Sequence, residues 1–151
     1  MPVATELREN GQVNYFRITE PWTMDELFDG FAQAKSIRDQ IYLNDSSRHI
    51  HTFVDLIEVK NAPPGVMRGR HFPGQNHPTR GEMVLVVNNA YIRRLVEAML
   101  NVSQVHGLFF ETLEDGWSYI RTQLAKTATN AGDPIPIKAP IPADKDKPEP
   151  A

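Results

Sequence analysis

Between Lys60 and Gly81 the chain carries Lys60, Arg68, Arg70, His71, His77 and Arg80 and not one acidic residue. A guanidinium group offers a planar fork of N–H donors that suits phosphate and carboxylate oxygens, so this run suits a small anion or an acidic partner peptide. The plainer alternative is that the arginines are solvated or pair with Glu58 and Glu82 on either side of the run. His71 and His77 could join Asp55 as a metal or acid–base cluster, because imidazole titrates near neutrality and binds zinc readily. Their spacing fits no ligand motif, and His77 before Pro78 reads as a turn residue whose ring bonds to backbone. His49 and His51 share one strand face, but a third ligand is missing, and both read as residues at the solvent end of a strand. No metal is assigned.

Other chemistries lack their motifs. The chain has no cysteine, hence no disulfide framework, thiol nucleophile or thiolate site, which suits a reducing cytosol. Ser36, Ser46, Ser47, Ser103 and Ser118 lie outside any Gly-x-Ser-x-Gly context, and neither Gly-x-Gly-x-x-Gly nor a Walker A run occurs. Gly65, Gly69 and Gly74 are too widely spaced for a phosphate cradle, so no cofactor is assigned. A formal charge of −3 argues against general nucleic-acid binding, and the aromatic residues read as core rather than as a base-stacking platform. The first six residues have neither a basic nor an apolar leader region, and no window approaches ~20 uninterrupted apolar residues. A cytoplasmic protein without a transmembrane segment is expected.

The elements that must position these residues follow from hydrophobic period. Ile50 to Val59 is an apolar, β-branched and aromatic run that suits a central strand covered on both faces, and the arginine segment leaves its carboxyl end. In open α/β sheets ligands favour the crevice beyond those carboxyl ends. Val3 to Arg8 and Gln12 to Thr19 read as strands joined by a two-residue turn at Asn10-Gly11. Thr23 and Glu26 can cap each other's amides with Trp22 and Leu27 as a hydrophobic staple, opening a helix that runs to about Leu43. Along it Leu27, Phe28, Phe31, Ala34, Ile37 and Ile41 make the apolar side, and Asp25, Asp29, Gln33, Lys35 and Arg38 the polar side. A short helix from Pro64, a strand over Glu82 to Val87 and a helix capped by Asn88-Asn89 follow. The free amides at that last helix start bring Asn88 into the candidate anion site. Val105 to Phe110 reads as the last strand, and Thr112 opens a final helix ending near Ala125. Residues 1–126 make one domain, and residues 127–151, rich in proline with alternating Asp and Lys, read as a disordered tail.

The order of strand, strand, helix, strand, short helix, strand, helix, strand, helix predicts an α/β domain. Its sheet is mixed and mostly parallel, with five strands, the first antiparallel, and about four helices packed in three layers. That order resembles the STAS domain of bacterial anti-sigma-factor antagonists and sulfate transporters, and more narrowly its free-standing members in bacteria such as the Chloroflexi. Pro21-Trp22-Thr23, Val54-Asp55-Leu56, Pro63-Pro64-Gly65, Asn76-His77-Pro78 and Thr112-Leu113-Glu114-Asp115 carry the closer likeness. The resemblance implies a regulatory domain that binds a protein partner. Phosphorylated antagonists have a Ser or Thr just beyond the third strand, whereas Ile57 to Pro78 contains neither. The phospho-switch is therefore not carried over, and Asp55 receives no catalytic role. The expected function is a non-catalytic module that meets a protein partner or small anion through Arg68, Arg70, His71, His77, Arg80 and Asn88. A small enzyme acting on a phosphorylated substrate, and a self-assembling unit such as a homodimer paired through an exposed edge strand or helix face, are the alternatives.

Overall fold

The computed structural model describes residues 2–73 and 77–130, with the side chains of Arg70 and residues 127–130 left aside. Its elements are β1 (Val3–Arg8), β2 (Val13–Ile18), α1 (Met24–Asn44), β3 (Ile50–Asp55), a short 3-10 turn (Val66–Arg70), β4 (Arg80–Val86), α2 (Ala90–Ser103), β5 (Leu108–Phe110) and α3 (Leu113–Asn130). The strands lie side by side in chain order, β1 antiparallel to β2 and every later pair parallel. The expected five-stranded mixed sheet is present, while the helices among the described residues are three, the piece after Pro64 being a 3-10 turn.

Because each parallel strand follows its neighbour in the same sense, the crossovers pass over one face of the sheet. There α1 and α2 pack on Phe16, Ile18, Val54, Met83 and Leu85. From the edge strand β5 the chain turns back, and α3 covers Val13, Tyr15, Phe53, Val84 and Val86 on the other face. Three layers result, with every residue of β3 buried between them.

Local chemistry sets where elements start and stop. Thr23 and Glu26 form the reciprocal capping box at the start of α1: the Thr23 hydroxyl accepts the Glu26 amide at 3.1 Å and the Glu26 carboxylate accepts the Thr23 amide at 2.9 Å. β3 stops at Asp55 rather than Val59 because the Asp55 carboxylate accepts the Ile57 amide at 3.1 Å, a local turn that competes with the ladder. The first hairpin is longer than the expected two-residue turn, since Glu9, Asn10 and Gly11 all have positive φ and Gln12 donates back to Arg8 and Glu9. The last strand begins at Leu108 instead of Val105 because Gln104, left-handed at φ 60°, still caps α2 and Val105 donates to the Leu100 carbonyl. The final helix runs to Asn130, and residues 131–151 of the expected tail lie outside the described residues. No helix among the described residues is long and apolar enough to cross a membrane.

Candidate functional site

The structure divides the arginine segment between the two ends of α1. At the start of α1, Arg68 of the 3-10 turn pairs with Asp25 at 3.0 Å and lies over the Phe28 ring at 5.2 Å. At the far end, His77 pairs with Asp39 at 2.7 Å, and Arg80 opens β4. Asp25 and Asp39 are fourteen helical steps apart, about 21 Å at 1.5 Å each. Asn88 lies exposed beyond the carboxyl end of β4, opposite the end where Arg80 sits, and Asn89 rather than Asn88 caps α2, accepting the Ile92 amide at 3.0 Å. His71 is exposed at the end of the 3-10 turn. The side chain of Arg70, and Asn76 of the motif before Pro78, lie outside the described residues. Of the acids suggested as partners, Glu58 binds Arg17 at 2.7 Å and Glu82 receives the Tyr119 hydroxyl at 3.4 Å.

The site residue that the sequence pattern concealed is Arg38. Its position in α1 follows Leu27, Phe31 and Ala34 at alternating steps of four and three and precedes Ile41 by three, which puts it on the buried stripe. Polarity had suggested the solvent face, yet Arg38 is 5% exposed while Ile37 is half-buried. Nη1 donates to the Ile50 carbonyl at 3.1 Å and the Thr79 hydroxyl at 3.2 Å, and Nη2 to the Thr52 hydroxyl at 2.7 Å. With its amide oxygen turned inward, Asn14 accepts from Nε at 3.2 Å and from Nη2 at 3.3 Å. All five N–H groups are thus used, and no carboxylate is among these partners. A buried cation without an opposite charge is costly, and burial followed by repulsion from Arg80 lowers its pKa to about 10. At neutral pH it stays charged.

Arg38 therefore faces a second guanidinium across a small space. Arg38, Arg80 and Lys35, with Phe16, Phe31 and Phe72, line a pocket of about 10 Å³ at the amino end of the sheet. Lys35 is exposed at its mouth and Arg80 half-exposed. This is the opposite end from the crevice expected beyond the carboxyl ends of the strands. That rim does carry an open cleft of about 370 Å³ around Trp22 and Pro63, but its acid, Glu20, already accepts the backbone amides of Lys60 at 3.0 Å and Asn61 at 2.6 Å. Those amides hold the Glu20 carboxyl below the usual range.

His77 belongs to a chain of hydrogen bonds that ends on Arg38. The Thr79 amide donates to His77 Nδ1 at 3.2 Å, which leaves Nε2 to carry the proton toward Asp39 at 2.7 Å. The Thr79 hydroxyl lies 3.0 Å from the same Nδ1 while accepting from Arg38. Carboxylate, imidazole and hydroxyl are connected as in an activated nucleophile. Thr79, however, is fully buried, so no substrate carbon can reach its oxygen. The chain fixes the start of β4 against α1, in keeping with a turn histidine bonded to backbone. Bonds from His77 and Lys35 hold the Asp39 carboxyl below its ordinary range.

Asp55 stands away from both histidines of the arginine segment. Its Oδ2 accepts the Tyr15 hydroxyl at 2.7 Å, and burial together with that carboxylate pushes the Tyr15 pKa up. His51 is not at the solvent: it is buried, its Nδ1 accepting the Glu82 amide at 2.8 Å. Gly81 permits this approach, since a Cβ there would stand 2.6 Å from that nitrogen. Among the described residues no three His, Cys, Asp or Glu side chains are placed to hold a metal ion. Comparison of the chain with models of known protein families, with curated proteins and with solved structures gives no match.

Proposed function

We propose that this chain is a non-catalytic, STAS-like interaction module that captures an anionic group, on a small molecule or an acidic protein partner, at the Arg38–Arg80–Lys35 pocket. The observation that carries this is that two arginines, Arg38 and Arg80, line one aromatic-walled pocket, and that Arg38 is buried with no carboxylate among its bonds. An anion between them offsets their mutual repulsion and the cost of burying charge. The segment after the third strand still supplies the contact, but through Arg80 near its end rather than through Arg68.

The rival functions have less support. Turnover at Thr79 requires an exposed hydroxyl, and assembly through a sheet edge would use either β1, a strand of six residues, or β5, a strand of three. Calorimetric titration with acetate and phosphate tests the proposal. Binding weakened at least tenfold in Arg80→Ala, and unaltered in Arg68→Ala, is the expected result. Equal binding by the wild type and Arg80→Ala removes the site.

A further inference from the structure

A second space lies beneath α1 and α2, divided from the cationic pocket by the Phe31 and Phe72 rings, whose centres are 4.6 Å apart. It is a cavity of about 70 Å³, walled by apolar side chains such as Leu27, Leu85, Val96 and Met99 and by Gly69. Walls of this kind give water nothing to bond to, and a cavity of about 150 Å³ with similar walls takes benzene. By proportion this one takes about three heavy atoms, so it suits a small uncharged molecule and neither a charged head nor a long chain.

One group in the wall narrows the choice. Of the side chains that line the cavity, Trp22 alone carries an N–H or O–H donor. Its Nε1 is screened from solvent and has no hydrogen-bond partner among the described residues. A buried indole N–H ordinarily has one, because leaving a donor unpaired costs its full desolvation. Trp22 also borders the open cleft beside Pro21 and Pro63, but a nitrogen hidden from solvent does not serve that cleft. We infer that the cavity binds a small ether or carbonyl compound of about three to four heavy atoms, its hydrocarbon part against Leu85 and Met99 and its oxygen accepting from Trp22 Nε1. This site is independent of the anion pocket, and either can stand without the other.

Solution NMR of the full chain under dimethyl ether, and under propane, which has the same size and no acceptor, tests this. Dimethyl ether is expected to move the Trp22 indole N–H signal downfield to saturation, leaving that of Trp117, on the opposite face of the sheet, in place. Propane should bind and move the Met83 and Met99 methyl signals without the downfield indole shift. Trp22→Phe keeps an aromatic wall and removes the donor, and should lower the affinity for ether relative to propane about fivefold. Leu85→Phe, which fills the cavity, should abolish binding of both gases. Gly69→Ala should weaken both if Leu85→Phe does not fold, because its Cβ would stand 2.7 Å from Met99 Sδ and crowd that side chain, which lines the cavity. No saturable shift with either gas overturns the site. An indole signal that moves equally with ether and propane, or an ether preference that survives Trp22→Phe, overturns the Trp22 contact and with it the class of ligand.

Discussion

The two faces of the sheet are packed to different standards. Under α3, Phe53 is fully buried, its ring 4.1 Å from that of Trp117 and nearly parallel to it, with Tyr15 5.7 Å from both. Gly116 brings the helix down onto this stack: a Cβ there would meet Val86 at 2.8 Å and Phe53 at 3.0 Å. Under α1 and α2 the same sheet keeps an apolar cavity of about 70 Å³ and a buried guanidinium. Protein interiors are ordinarily filled to crystal-like density, and buried charge ordinarily has a counter-charge. One face is built for stability, and the other gives up some of it to keep a charged space.

Substitutions on the two faces should therefore separate. The largest effect is expected on the filled face, where Phe53→Ala opens a cavity and loses its ring contacts, costing about 4 kcal/mol in urea unfolding without altering the affinity of whatever folded protein remains. A loss under 1 kcal/mol would show that the stack is not the stabilising side.

Acid should come next, through His51. Burial, with smaller contributions from His49 and Arg38, lowers its pKa from 6.5 to about 4. The unfolded chain then binds the proton more readily than the folded one. Stability is therefore fully present above pH 6.5 and drains away as pH falls toward 4, by roughly 3 kcal/mol for a group buried this deeply. Asp39 and Glu20, held below the usual carboxylate range, act in the same sense but only below the titration of unfolded carboxylates, so the window from 6.5 to about 4.5 isolates the histidine. Unfolding free energies of His51→Gln should be flat across that window. A persistent slope would assign the effect to another group.

Arg38→Met should be milder, about 2 kcal/mol. Buried partners such as the Thr79 hydroxyl and the Ile50 carbonyl lose a donor, while the cost of burying a charge disappears. Its affinity for acetate should nevertheless fall sharply, a split between stability and binding that Phe53→Ala does not show. Arg68→Ala is expected to be smallest, within about 0.5 kcal/mol, because its ion pair with Asp25 is exposed. A melting-temperature loss of several degrees there would mean that the 3-10 turn has more structural weight than its contacts suggest.

How far all this was readable from residues depends on whether the signal is local. Hydrophobic period and the capping pair placed β3, β4, α1 and α2 to within a few residues, because burial on two faces and a helix start each leave a periodic or spaced mark. Where elements end was less legible: Asp55 stops β3 through its own side chain, and Gln104 delays β5, choices that apolar runs do not record. The acid-free segment pointed to the right stretch of chain, but composition has no direction. Nothing in it told that Arg68 and Arg80 would reach opposite ends of α1. Arg38 was missed because polarity was weighed above spacing. The steps of four and three from Leu27 to Ile41 would have placed it inside, and a lone arginine on an apolar stripe is the feature to look for.

The most direct test is a backbone amide NMR titration of the wild-type chain with sodium acetate at pH 7. The account predicts saturable shifts gathered on Lys35, Arg38, Thr52, Arg80 and Met83, with the amides of Asp25, Arg68 and Asn88 unmoved. Shifts confined to that second group, or no saturable shift anywhere, would contradict it.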